Sequence, residues 1–64
     1  MVRINGTPEN VAGMTLLAYL TEHGYALRRI AVEYNGDILP PNAYGETFLQ
    51  KGDQVEIVSF VGGG

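Results

Sequence analysis

The sequence predicts an α+β fold, in which a mixed sheet of about five strands carries one main helix on one face. Two segments that alternate apolar and polar residues each run into an Asn-Gly dipeptide, at positions 5–6 and 35–36. Asn-Gly between such segments is a strong signal for a two-residue β-hairpin. Between the hairpins lies a single stretch with helical periodicity, "GMTLLAYLTEHG". One helix can cover only one face of the sheet, so the opposite face is expected to stay open.

The first hairpin and the helix follow from local signals. "VRIN" and "TPENV" flank Asn5-Gly6 and can pair with each other. Thr15 can cap the helix at its start and Gly24 can end it, which gives a helix of about nine residues. The helix face predicted to pack on the sheet contains Leu16, Leu17 and Leu20.

The second hairpin and the last strand are predicted in the same way. "IAVEYNGDIL" supplies the hairpin, and Pro40-Pro41 ends its second strand. A Gly52-Asp53 turn then leads into a last strand from Gln54 to Phe60. The inward residues of this strand are Val55 and Ile57, and its outward residues are Glu56, Val58 and Phe60.

The order of these elements, β-β-α-β-β-β, indicates a topology. Hairpins make antiparallel neighbours, and a last strand beside the first would place a parallel pair at the centre of the sheet, which is the β-grasp layout. We therefore expect a β-grasp domain over residues 1–60 and a flexible, glycine-rich tail over residues 61–64. The strand residues expected to meet the helix are Val2, Ile4, Val32, Val55 and Ile57.

Composition narrows the possible functions. The chain has 64 residues, 45% of them hydrophobic and 17% charged, and no cysteine, which is typical of one small folded domain. Seven acidic residues against four basic ones give a net charge of −3, which disfavours nucleic acid as a partner. The apolar runs are too short to span a membrane, and the first residues do not resemble a signal peptide. We expect a cytoplasmic protein with no membrane partner.

The stretches "IAVEYNGDILP" and "KGDQVEIVSFVGGG", in this order of elements, resemble the sulfur carrier proteins of thiamine (thiazole) biosynthesis, a ubiquitin-like family. The likeness covers essentially the whole chain, and the glycine end after a strand is its most informative part. Members of that family end in Gly-Gly, which corresponds here to Gly63 and Gly64, with Gly62 as an additional glycine.

The resemblance implies a function for these glycines. An E1-like enzyme would use ATP to adenylate the carboxylate of Gly64, and a persulfide-carrying sulfur donor would convert it to a thiocarboxylate. Thiazole synthase would then receive the sulfur. The chain itself would be a carrier and not an enzyme, with no catalytic residue, bound cofactor or metal.

The chemistry of the tail suits this function. A carboxylate is a poor electrophile until it is given a good leaving group, so adenylation before attack by sulfur is a reasonable route. Gly62 and Gly63 allow the backbone to enter a narrow channel, and Val61 to Gly64 can extend about 13–14 Å. Glycines alone would be explained equally well by a flexible end or an expression scar, and the whole-chain likeness favours the carrier.

Val58, Phe60 and Val61 form the predicted partner-binding surface. They leave apolar side chains on the open side of the sheet, where the activating enzyme could dock. The alternative is that Val58 and Phe60 cover a sheet end or pack on the loop at 44–49.

Other polar residues are interpreted as structural. His23 is placed in the last helical turn, without a second ligand at metal-binding spacing. Glu33 and Glu56 could act as paired carboxylates only inside a pocket, and none is expected in so small a domain. Arg28-Arg29 is expected to be solvated. The four tyrosines, Tyr19, Tyr25, Tyr34 and Tyr44, are expected to pack in the core or at its rim.

Two other functions stay open. The first is another sulfur carrier with the same tail, similar to the small subunit of molybdopterin synthase. The second is a β-grasp module that carries no sulfur, such as an RNA-binding regulatory domain or a modifier conjugated to proteins. The short chain and the stretch "EYNGDILP" favour the thiamine branch.

Overall fold

Both Asn-Gly dipeptides form the hairpin turns that the sequence predicts. In the computed structural model, which describes residues 1–60, Asn5 and Gly6 have φ angles of 51° and 83°, and Asn35 and Gly36 have φ angles of 50° and 92°. Two successive positive φ angles are those of a type I′ turn, whose twist matches that of the flanking strands. The strands joined in this way are β1 (Val2–Ile4) with β2 (Thr7–Glu9), and β3 (Ile30–Tyr34) with β4 (Asp37–Leu39).

The last strand, β5 (Gln54–Ser59), lies at the centre of the sheet. The strand order is β2-β1-β5-β3-β4, with β5 parallel to β1 and antiparallel to β3. This five-stranded mixed sheet with one main helix confirms the predicted β-grasp fold class. The strand ends one residue earlier than predicted, before Phe60. The predicted tail, residues 61–64, lies outside the described residues.

The main helix, α1 (Leu16–Glu22), begins where the sequence predicts. The hydroxyl of Thr15 accepts a hydrogen bond from the Ala18 N–H at 3.1 Å, which satisfies one of the unpaired donors of the first turn. The helix has seven residues instead of about nine, and His23 forms its C-cap. Two 3₁₀ helices, Leu27–Arg29 and Pro41–Glu46, complete the connections. Within residues 1–60, no helix has the length and apolar character to span a membrane.

The hydrophobic core confirms the predicted strand residues and corrects one helix position. Leu17 was expected to face the sheet, but 37% of its surface is exposed, and Tyr19 is buried instead. Leu16, Tyr19 and Leu20 are spaced i, i+3 and i+4, which puts them on one face of a helix, whereas Leu17 lies a quarter-turn away. Leu17 packs over Gly45 in the second 3₁₀ helix. The buried core consists of Val2, Ile4, Leu16, Tyr19, Leu20, Ile30, Val32, Tyr44, Leu49, Val55 and Ile57.

Candidate functional site

The candidate site begins where the chain leaves the centre of the sheet, at the end of β5. The Phe60 N–H donates a hydrogen bond of 2.8 Å to the Arg29 carbonyl, and Ser59 pairs with Ile30 at the start of β3. The backbone is therefore attached to the sheet up to the last described residue. The predicted modified residue Gly64, the channel-entry residues Gly62 and Gly63, and the partner-binding residue Val61 lie outside the described residues.

One side of β5 is held by the side chain of Asn5. The parallel pairing of β1 with β5 ends at Ile4 and Val55, because the chain then turns into the first hairpin. Past this point the Asn5 carboxamide, instead of the β1 backbone, forms the hydrogen bonds to the backbone of β5. Its oxygen accepts from the Ile57 N–H at 2.6 Å, and its nitrogen donates to the Ile57 carbonyl at 3.2 Å. The sequence indicates Asn5 only as a turn residue, since nothing in the local pattern reveals a partner 52 residues away.

The start of β5 is held by a hydrogen-bond cluster around Asp53. Its carboxylate accepts from the Tyr34 hydroxyl, from the Asn35 side-chain amide at 3.1 Å and from the Gln50 N–H at 2.8 Å. The Asn35 oxygen in turn accepts from the Gln54 N–H at 2.8 Å. This cluster joins the second hairpin to the turn before β5. The Gly52-Asp53 dipeptide predicts the turn, but it does not reveal that Asp53 is a buried acceptor.

The protonation states in this cluster follow from its geometry. Burial by itself would raise the pKa of Asp53, but the hydrogen bonds from Tyr34, Gln50 and Asn35 outweigh it, so the pKa is lowered. Burial, together with the hydrogen bond to Asp53, raises the pKa of Tyr34 to about 12. At neutral pH a charged carboxylate therefore accepts from a neutral phenol, which is a charge-assisted bond.

The outer half of β5 and its neighbours present an apolar, exposed surface. The exposed fractions are 60% for Val58, 50% for Phe60 and 69% for Ile38 on β4. The loop at 44–49, on which the alternative placed these side chains, buries its own Tyr44 and Leu49 in the core, and Val58 and Phe60 keep at least half of their surface exposed. Val58 and Phe60 thus lie on a free surface, as a partner-binding role requires. Whether they bind a partner stays a prediction.

The open face also carries a depression that the sequence analysis did not expect. Its volume is about 290 Å³, and it is lined by Ala31, Val32, Glu33, Ile38, Glu56 and Val58. Our expectation that Glu33 and Glu56 have no pocket near them was therefore wrong. The depression forms because alternate residues of three adjacent strands project from the same face, with the small Ala31 between larger neighbours.

His23 and Tyr19 form a structural pair at the end of the helix. Their rings stack with centroids 4.0 Å apart, and His23 Nδ1 lies 2.9 Å from the Tyr19 carbonyl oxygen. The Tyr19 hydroxyl donates to Glu9 at 3.0 Å. Burial, reinforced by this bond, raises the pKa of Tyr19 to about 12. Among the residues that the structure describes, no group of three or more His, Cys, Asp or Glu side chains could hold a metal ion.

Comparison with known proteins identifies the family, because the model of the ThiS family matches residues 2–64. The chain belongs to the ThiS family. It is similar over its full length to the sulfur carrier protein ThiS of Thermus thermophilus, which is 36% identical and is also covered in full. The crystal structure of the thiamine biosynthesis protein ThiS from Geobacter metallireducens has a TM-score of 0.80 and 30% identity, with 98% of this chain and 97% of that chain covered.

ThiS sequences also occur inside longer proteins. A thiazole synthase of Magnetococcus marinus is 42% identical to this chain over 98% of its residues, although the match covers only 20% of that protein. The chain thus spans about a fifth of the length of the thiazole synthases that it matches. These findings confirm the resemblance drawn from the sequence. The relatives of similar length are a sulfur carrier protein and a thiamine biosynthesis protein of this family.

Proposed function

We propose that this member of the ThiS family carries sulfur on the carboxylate of Gly64. An E1-like enzyme with bound ATP adenylates that carboxylate and releases pyrophosphate. The terminal sulfur of a persulfide on the donor protein then attacks the acyl carbon and displaces AMP, which forms an acyl disulfide between Gly64 and the donor. A second thiol of the partner attacks the donor's sulfur atom in this S–S bond, so that the thiocarboxylate leaves and a disulfide forms between the two thiols. The carrier contributes no acid, base or cofactor, since the activating enzyme uses the ATP.

The family match through residue 64 is the observation that carries this proposal. The structure supports it, because the strand that leads to the glycines is the central one and is attached on both sides. The Phe60 N–H is hydrogen-bonded to the Arg29 carbonyl, and the Ile57 backbone is hydrogen-bonded to the Asn5 side chain. The last described residue, Phe60, therefore has a defined position on the sheet. Four residues can reach at most about 14 Å from it. A partner must therefore dock close to the end of β5 to reach Gly64.

Thiazole synthase is the proposed acceptor of the sulfur. The support is that proteins named thiazole synthase contain a segment similar to this chain, and one polypeptide that holds both parts would keep carrier and acceptor close together. A cytoplasmic location goes with the proposal, because activation consumes ATP. A carrier for molybdopterin would have the same tail chemistry, and the thiazole synthase relatives favour the thiamine branch.

The proposal is tested on the terminal carboxylate. We expect that deleting Gly64, or adding one alanine after it, abolishes ATP–pyrophosphate exchange by the cognate adenylating enzyme, since the carboxylate is displaced along the enzyme's channel. Mass spectrometry should then detect replacement of one terminal oxygen by sulfur in the parent chain and not in the shortened or extended chain. The matched control is one alanine added before Met1, which should leave both reactions intact.

Thermal unfolding of the parent and all variants is compared first, because a variant that does not fold would lose pyrophosphate exchange for that reason alone. If the shortened and extended chains exchange pyrophosphate and gain sulfur as well as the parent does, Gly64 is not the modified residue. In that case the carrier mechanism proposed here is wrong.

A further inference from the structure

The open face of the sheet places two glutamates directly opposite each other on adjacent strands. Glu33 on β3 and Glu56 on β5 are direct cross-strand partners, and both are exposed. Directly opposed residues on one face of an antiparallel pair have Cβ atoms only about 4.5–5.5 Å apart, and like charges at such positions destabilise the sheet. The free protein therefore holds an unfavourable arrangement at the centre of this face.

Apolar side chains surround this pair of carboxylates. Ile38 is the cross-strand partner of Glu33 on its other side, and Val58 lies across from Ala31. These residues line the depression on the open face together with the two glutamates. This surface has negative charge at its centre and apolar residues around it. It is therefore complementary to a partner surface that has a positive charge surrounded by apolar residues.

The five strands contain a single basic residue, Arg3 of β1. Strand alternation places Arg3 of β1 on the open face, since its neighbours Val2 and Ile4 are buried. Its Nη1 atom, however, donates to the Gly6 carbonyl at 3.2 Å within the first hairpin. The strands therefore offer no second basic side chain to bridge Glu33 and Glu56, and a partner can supply that cation.

We infer that the open face docks the adenylating enzyme through one arginine of that enzyme, which inserts between Glu33 and Glu56. A guanidinium offers five N–H donors in a planar fork and can bind two carboxylates at once, while Ile38 and Val58 contact the apolar residues around it. This inference rests on the proposed function, because it names how the partner of that function is recognised. It adds that the acidic pair, and not the apolar surface alone, selects the partner.

The arrangement has a consequence for the free protein. Removal of either charge relieves the repulsion, so the same substitution stabilises the chain and weakens its complex. A gain in stability together with a loss of affinity is expected if the two glutamates serve partner recognition. If they had only a structural role, their substitution would change stability without weakening the complex.

The experiment compares Glu33→Gln and Glu56→Gln with Glu22→Gln and Glu46→Gln. All four variants lose one negative charge, but Glu22 ends α1 and Glu46 ends the second 3₁₀ helix, and both are exposed and outside the strands of the sheet. Isothermal titration calorimetry with the cognate adenylating enzyme should show a dissociation constant raised about tenfold in each of the first two variants. The two controls should change it less than about twofold.

Two further measurements complete the test. In thermal unfolding of the free chain, Glu33→Gln and Glu56→Gln should raise the midpoint by about 1–5 °C relative to the controls. Binding of the parent should weaken as salt rises from 50 to 500 mM NaCl, and the double variant should lose most of that dependence.

The outcomes separate this inference from the proposed function. If the parent supports pyrophosphate exchange and all four variants bind alike, the carrier function stands and the docking role of the acidic pair is wrong. If the two sheet variants self-associate in analytical ultracentrifugation while their affinity for the enzyme is unchanged, the carboxylates only prevent aggregation, and the inference is again overturned. If the parent itself gives no exchange, the proposed function fails first.

Discussion

The side chain of Asn5 pairs with the backbone of Ile57 as a strand would, accepting from its N–H at 2.6 Å and donating to its carbonyl at 3.2 Å. The same residue adopts a φ of 51° in the first hairpin turn. One asparagine thus shapes the turn and also extends the partner of the central strand beyond the end of β1. Because β5 leads to the proposed reactive end, this contact links the first hairpin to the position of that end.

We predict that Asn5→Gly destabilises the protein by about 1–3 kcal/mol, because the Ile57 N–H and carbonyl lose their partners while glycine keeps the positive φ angle. Chemical denaturation measures the change. The control is Asn10→Gly, at an exposed position after β2, which should cost less than Asn5→Gly. Equal losses in the two variants would mean that only backbone entropy matters and that the Asn5–Ile57 contact contributes nothing.

The central strand offers a matched pair of core and surface positions. Val55 is 1% exposed and Val58 is 60% exposed, and both lie in β5. Val55→Ala should reduce the free energy of unfolding by about 2 kcal/mol, since it leaves a cavity in the core. Val58→Ala should change it by less than about 0.5 kcal/mol. Similar values for the two variants in urea denaturation would contradict the core assignment.

Asp53 predicts a loss of stability in acid. Its folded-state pKa is lowered by hydrogen bonds that outweigh burial, so its contribution is present above the unfolded-state pKa of about 3.9 and is lost as the pH falls through the folded-state value. Asp53→Asn should therefore reduce stability at pH 7 by about 2 kcal/mol and flatten the decrease in stability below pH 4. Urea denaturation between pH 2 and pH 7 measures both effects.

The exposed Asp37 on β4 provides the control for this change. Asp37→Asn removes the same charge without touching the Asp53 cluster, so its cost at pH 7 should stay below about 0.5 kcal/mol. If Asp53→Asn keeps the full loss of stability in acid, other carboxylates cause it, and the Asp53 prediction is wrong.

The apolar surface at the end of β5 predicts an effect on binding without an effect on folding. Phe60→Asp should weaken binding to the adenylating enzyme at least about tenfold, since exposed aromatic residues at the centre of a contact dominate its energy. Its thermal unfolding should change little, because the ring is 50% exposed. The comparison is Phe48→Asp, which is 57% exposed and lies beside the helix cap at Thr15.

Both phenylalanine variants gain the same charge on a similarly exposed ring, so a general charge effect would weaken both complexes equally. That result, from calorimetric titration with the adenylating enzyme, would rule out a specific docking role for Phe60. A large fall in the melting temperature of Phe60→Asp with unchanged affinity would show instead that the ring supports the fold.

Local features of the sequence determined most of the architecture. Asn-Gly adopts two positive φ angles at low cost, so both hairpins could be placed from the dipeptides alone. A cap at Thr15 and strict alternation along β5 are also local, since each depends on residues a few positions apart. The glycines at 62–64 and the likeness of the whole chain to sulfur carriers pointed to the family. The proposed chemistry at Gly64 stays a prediction.

Only the tertiary structure decided which side chains are buried and which residues far apart in the sequence contact each other. It buried Tyr19 instead of Leu17, because the helix rotates to the position at which its largest apolar face meets the sheet and Leu17 packs over Gly45. It also brought Asn5 to Ile57, Asp53 to Tyr34 and Glu33 to Glu56. Backbone preferences act within a few residues, whereas these contacts exist only once β5 has inserted between β1 and β3. Their partners therefore could not be identified from sequence spacing.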